Sequence, residues 1–151
     1  MSGAVADTER AADFVRRFSE FWNAPAPDRL GTLLADDVRL IAPMTPATDT
    51  LEEGERAFAT IFALVPDLTG EVNSWGATEA GVMIDITLSG SAGGSPISWR
   101  AVDRITIGAD GLASERVSHF DSLPLILTVA RRPRVWPGFL RSRLASRSSG
   151  P

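Results

Sequence analysis

His119 and Asp121 stand two residues apart in the run Val117-Ser118-His119-Phe120-Asp121, so on a strand both side chains leave the same face as Val117. Histidine is the commonest general base near neutral pH, and a carboxylate can orient or charge it. Asp103 alternates with Trp99, Ala101, Ile105 and Ile107, which assigns it to their apolar face. A carboxylate there either keeps its proton because burial disfavours its charge, or pairs with a cation. In the first case Asp103 donates a hydrogen bond to a substrate oxygen. In the second it forms a salt bridge with Arg100, Arg104 or Arg116. His119 has a plainer alternative as well, a strand-end residue with Asp121 capping the turn Ser122-Leu123-Pro124.

The absences narrow the chemistry further. Among 151 residues there is no Cys, no Tyr and one His, and all 15 basic residues are Arg. Thiolate catalysis, a disulfide framework, a multi-histidine metal cluster, a Schiff base and a P-loop lysine are therefore excluded. No metal site and no cofactor is expected. What remains is carboxylates, Arg and His119. Asp36-Asp37 makes a poor dyad, because adjacent side chains diverge, and reads as a solvated helix end.

These residues need elements to position them. Phe14, Val15, Phe18, Phe21 and Trp22 recur at helical spacing from Thr8 onward, and Pro25 and Pro27 stop the helix. Asp28 opens a short helix with Leu30, Leu33 and Leu34, and a strand follows over Val38–Ala42. Thr50 and Glu53 form a capping box before a helix that places Phe58, Ile61, Phe62 and Val65 on one side, ended by Pro66. Val82, Ile84, Ile86 and Leu88 alternate with polar partners as a half-buried strand does. Gly90 to Ser95 reads as a loop, without the Lys and following helix of a phosphate loop. Ile97–Ile107 and Leu112–Asp121 are strands joined at the hairpin turn Asp110-Gly111. The order helix, helix, strand, helix and four strands predicts an α+β domain, an antiparallel meander curled around a helix with an apolar pocket at its mouth.

With Phe21-Trp22-Asn23, Leu34-Ala35-Asp36-Asp37-Val38, Val102-Asp103-Arg104-Ile105 before Asp110-Gly111, and the closing Glu115-Arg116-Val117-Ser118-His119-Phe120-Asp121, this layout resembles the cone-shaped nuclear transport factor two-like superfamily, and within it the SnoaL-like branch that includes polyketide cyclases. The resemblance spans roughly residues 8–130 and implies a curved antiparallel sheet wrapped around helices. It also implies a cofactor-independent cyclase or isomerase acting on a hydrophobic polyketide- or terpenoid-like substrate, with Asp103 steadying an enolate or oxyanion and His119 with Asp121 moving the proton. A hydrophobic-ligand-binding or dimerisation module without catalysis is the alternative. Ketosteroid isomerases are relatives, but of their three catalytic positions this chain has Phe18 for the Tyr and Ala42 for the base, and keeps only Asp103. Limonene epoxide hydrolases are relatives too; Arg100, Asp103 and Asp121 have the right types, but Arg100 and Asp103 are three apart on a strand and face oppositely.

Phe18, Trp22, Phe62, Trp75, Met83 and Trp99 are the candidates to line the pocket, a set suited to a flat apolar molecule. A homodimer through the outer sheet face is what the resemblance implies. Charge is split along the chain: residues 1–121 carry all 19 acids and nine Arg, a net of −10, whereas residues 122–151 carry six Arg and no acid. The basic segment 131–151 is expected to close over the acidic body through Leu125, Trp136, Phe139 and Leu140, with a weaker anionic-membrane contact as the next reading. Nucleic acid is disfavoured, because the acidic body repels a polyanion. Disorder is expected before about Asp7 and after about Ala145. With no leader or membrane span evident, a cytoplasmic protein is expected.

Overall fold

A computed structural model describes residues 2–122 together with Leu127, Ala130, Arg131, Pro137 and Arg141. The expectations for Leu125, Trp136, Phe139 and Leu140 lie outside the described residues. Among the described residues, no helix is long and apolar enough to cross a membrane.

Helix α1 (Ser2–Asn23) begins earlier than its apolar periodicity, and residues 3–10 are exposed on every side. Its buried stripe is Ala11, Phe14, Val15, Phe18, Phe21 and Trp22, the three-and-four spacing of one helical face. A short 3₁₀ segment, Pro27–Thr32, follows and buries Leu30. Strand β1 (Leu34–Ile41) starts before the expected Val38, and the exposed Asp36 and Asp37 belong to it rather than to a helix end. Helix α2 (Leu51–Leu64) is capped by Thr50, whose side chain accepts from Glu53 N at 3.2 Å. The returning bond runs from Asp49 N to Glu53 Oε2 at 2.9 Å, one residue before the usual capping-box partner.

Four strands complete the sheet: β2 (Thr69–Ala77), β3 (Gly81–Ala92), β4 (Ser95–Ile107) and β5 (Ala113–Phe120). Their order is β1-β5-β4-β3-β2, so the sheet is mixed, with β1 parallel to β5 and every other pair antiparallel. The expected loop at Gly90–Ser95 is a two-residue hairpin: Ala92 pairs with Ser95, and Gly93 and Gly94 take φ of 58° and 79°, the left-handed pair that such a turn demands.

Register shifts between Leu34 and Arg39, between Val72 and Ser74, and between Thr106 and Ile107 bend the strands, as inserted residues do. The sheet therefore curves without closing, and α1 and α2 pack on its concave face. Val82, Ile84, Ile86 and Leu88 of β3 meet the α1 stripe there. Arg17 ties α1 to the end of the 3₁₀ segment and to the β4–β5 turn, donating to Thr32 O at 3.1 Å and to Gly111 O at 2.7 Å.

Candidate functional site

Asp103 is fully buried, and apart from Ser118 at 8% exposure it is the buried polar residue among the described ones. Trp99, Ala101, Ile105 and Ile107 point the same way from β4, as period-two alternation requires. On β5 the residue opposite Asp103 is Ser118, and Arg116 lies two positions back, opposite Ile105. That diagonal spans about 7–8 Å between backbones, within reach of an arginine. Arg116 Nε donates to Asp103 Oδ2 at 2.8 Å, and its Nη2 lies 2.6 Å from the same oxygen. Of the three cations the sequence offered, Arg100 and Arg104 are excluded because they leave β4 on its other face.

Asp103 is thus the ion-paired carboxylate, with both contacts falling on one oxygen. Its Oδ1 is buried without a hydrogen-bond partner among the described residues. An acceptor left this way costs about 1–3 kcal/mol, so the site holds unmet hydrogen-bonding capacity. Arg116 is 13% exposed, and its guanidinium carbon lies 5.6 Å from the Phe58 ring centre, a cation–π distance. Its Nη1 bonds none of the described residues.

Arg116 is also the polar member of a cavity walled by Phe14, Phe18, Phe21 and Trp22 of α1 and Phe58 of α2. The cavity measures about 10 Å³, room for roughly one water molecule. The rings interlock: Phe18 meets Trp22 edge-on at 6.3 Å, and Trp22 lies 6.1 Å from Phe58. The cone interior is therefore occupied by the chain's own aromatic side chains.

The expected trio of Asp103, His119 and Asp121 is not brought together. His119 is opposite Val102 and exposed, and Asp121 lies just past the end of β5 and is exposed as well. The cause is the one-residue shift at Thr106/Ile107. Ile107 pairs with Ala113, but Thr106 pairs with Glu115, so Ser114 is inserted and every later β5 residue changes face. Arg116, Ser118 and Phe120 turn inward in place of Val117, His119 and Asp121.

Of the expected pocket residues, Phe18 and Trp22 line the cavity; Phe62 packs at 6.5 Å from Trp22, and Trp99 packs half-buried against the core. Met83 does not line it: it alternates with buried Val82 and Ile84 and stands 42% exposed on the outer face. Trp75 does not either, standing 40% exposed on the edge strand β2. On the outer face Asp85 is held by Arg100 and Asn73, and Arg100 Nε donates to its Oδ1 at 2.8 Å. Hydrogen bonding to Arg100, then to Asn73, holds the Asp85 carboxyl down to about 2. Among the described residues, no group of three or more His, Asp or Glu is placed to hold a metal ion.

A family model described as a SnoaL-like domain matches residues 15–116. Solved structures share the fold at low identity. A candidate SnoaL-like polyketide cyclase from Jannaschia sp. CCS1 is 19% identical over 78% of this chain and 90% of its own, with a TM-score of 0.68. AclR, a candidate hydroxylase from Streptomyces galilaeus, is 20% identical over 84% of this chain and 99% of its own, with a TM-score of 0.69. A protein with a ketosteroid isomerase-like fold from Catenulispora acidiphila, in complex with trimethylamine, is 15% identical over 72% of this chain and 85% of its own, with a TM-score of 0.65. No curated protein is detectably similar in sequence.

Proposed function

The chain belongs to the SnoaL-like domain family, and from that premise we propose that it is a cofactor-independent acid/base enzyme of cyclase or isomerase type. Its substrate is a hydrophobic, polyketide- or terpenoid-like molecule that enters the aromatic interior of the cone. The observation that carries this reading is the Asp103–Arg116 pair, a fully buried carboxylate held by an arginine that itself lines the apolar cavity. Asp103 Oδ1 takes the proton from a carbon next to a carbonyl, and Arg116 Nη1 donates to the oxygen on which negative charge develops. His119 and Asp121, which the sequence suggested as the proton carriers, are not needed in this scheme. A homodimer through the outer sheet face remains part of the reading on family grounds.

The test is α-proton exchange of a small enolisable ketone such as acetophenone in D₂O, followed by NMR. Wild type should accelerate exchange, Asp103→Asn should abolish the acceleration and His119→Gln should keep it. Exchange no faster than in buffer would sink the enzymatic reading. The small cavity favours a second reading, a ligand-binding module without chemistry. In that case apolar ligands bind by displacing the aromatic side chains, and exchange stays at the buffer rate.

A further inference from the structure

We infer that the segment 122–151 docks the protein onto an anionic bilayer surface, lying in the headgroup layer without crossing it. The segment carries six Arg and no acid, a net of +6 against −10 for residues 1–121. Its sequence alternates uncharged apolar blocks with arginines. Leu123–Ala130 precedes Arg131, Arg132 and Arg134, and Val135–Leu140, which includes Trp136 and Phe139, precedes Arg141 and Arg143. Each half of that pattern has a counterpart in a bilayer. Guanidinium forks match lipid phosphates, and aromatic and aliphatic side chains enter the layer just beneath them. The uncharged blocks are eight and six residues long, whereas a spanning helix needs about 20. The segment can therefore lie on a membrane but not cross one.

Two competing partners fit less well. Closure over the acidic body would spend the arginines in ion pairs with its carboxylates. Arg131 and Arg141, the two that the structure describes, are both exposed, and neither ion-pairs with a carboxylate among the described residues. Leu127 stands 43% exposed, and Arg131 N donates back to its carbonyl at 3.0 Å. An apolar and a cationic side chain thus sit one helical turn apart with both exposed, the pairing that an interfacial element presents to lipid. A nucleic acid duplex would meet the arginines through its phosphates, but it offers Leu127, Trp136 and Phe139 no apolar layer to enter. The body's own negative charge opposes an anionic surface only at short range. Physiological salt screens it beyond about 8 Å, a distance that a few residues of extended chain cover.

Co-sedimentation of the full chain with sucrose-loaded vesicles tests the inference. Wild type should partition onto phosphatidylcholine vesicles containing about one-third phosphatidylglycerol at least about tenfold more strongly than onto pure phosphatidylcholine. Salt at about 0.5 M should reduce that preference. Arg131→Gln, Arg132→Gln and Arg134→Gln together should weaken binding to the mixed vesicles about a hundredfold, at about fivefold per arginine. Trp136→Ser with Phe139→Ser leaves the charge unchanged and should cost at least about tenfold. If the first triple variant does not fold, Arg141→Gln, Arg143→Gln and Arg147→Gln together carry the test. Absence of wild-type binding to the mixed vesicles, or equal binding to both kinds, would overturn the inference. So would undiminished binding by a folded triple variant. No vesicle binding by wild type, together with a lowered urea midpoint in the triple variant, would assign the segment to the acidic body instead. Wild type binding a short DNA duplex as tightly as the vesicles, with Trp136→Ser and Phe139→Ser affecting neither, would assign it to nucleic acid.

Discussion

Arg116 reaches diagonally across the β4–β5 ladder to place Nε 2.8 Å from Asp103 Oδ2, the one ion pair among the described residues with a fully buried member. Its value for stability lies in the pairing, since either partner alone would be a stranded charge. Arg116→Met should therefore destabilise the fold by about 3–5 kcal/mol, whereas Asp103→Leu combined with Arg116→Met should recover most of that loss. Urea unfolding of the single and double variants measures it. A double variant no more stable than Arg116→Met would show that packing, not charge, sets the cost.

His119 provides the contrasting case. It is exposed on the outer face opposite Val102, so His119→Gln should alter stability by no more than about 0.5 kcal/mol. It should also leave the α-proton exchange of acetophenone unchanged. A tenfold loss of exchange rate in His119→Gln would place the histidine in the site after all.

Acid stability should depend on the outer-face pair of Asp85 and Arg100. Asp85 has its folded pKa held down to about 2 by the hydrogen bond from Arg100. A depressed carboxylate stabilises the fold above its unfolded pKa, near 4, and that contribution fades as pH falls toward the folded value. Arg100→Gln should thus be less stable than wild type at pH 6, and the difference should shrink progressively between pH 4 and pH 2. Urea midpoints across that range give the answer; a difference that does not vary with pH would assign the loss to packing.

Two glycines on the β2–β3 side should respond in opposite ways to one methyl group. A Cβ on Gly81 would lie 2.1 Å from the Ile105 carbonyl oxygen, a backbone atom that cannot give way. Gly76 has nothing within 4 Å. Gly81→Ala should cost more than about 3 kcal/mol through overpacking and backbone displacement, while Gly76→Ala should stay within about 0.5 kcal/mol of wild type. Thermal unfolding separates them readily.

The buried face of α1, the α2 cap and the inward direction of Asp103 were all legible in the sequence, because each follows from a local period or a short-range partner. The partner of Asp103 was legible as a choice among three arginines. Period two removes Arg100 and Arg104, and only the register of β5 selects Arg116. That register is where sequence reasoning went astray with His119 and Asp121. A regular ladder running on from the Ile107–Ala113 pair would have turned Val117, His119 and Asp121 inward beside Asp103. Ser114 inserts one residue and exchanges the two faces, and nothing in the local pattern marks it. The loop expected at Gly90–Ser95 failed for a different reason: two adjacent left-handed glycines make a tight reversal as readily as a loose one. The size of the cavity was not legible either, since it depends on how five aromatic rings interlock rather than on which residues they are.

The parallel pairing of β1 with β5 has a kinetic consequence. The first strand in the chain waits for the last before its ladder can form, so the closing contact is among the most distant in sequence and carries a large loop-closure entropy. Arg116 sits in that last strand, directly opposite Leu40 of the first. On the ribosome, a chain that has not yet delivered β5 holds β1 with an open edge and Asp103 without its counter-charge. The charge-balanced interior is therefore acquired at the end of folding, in the same step that completes the sheet.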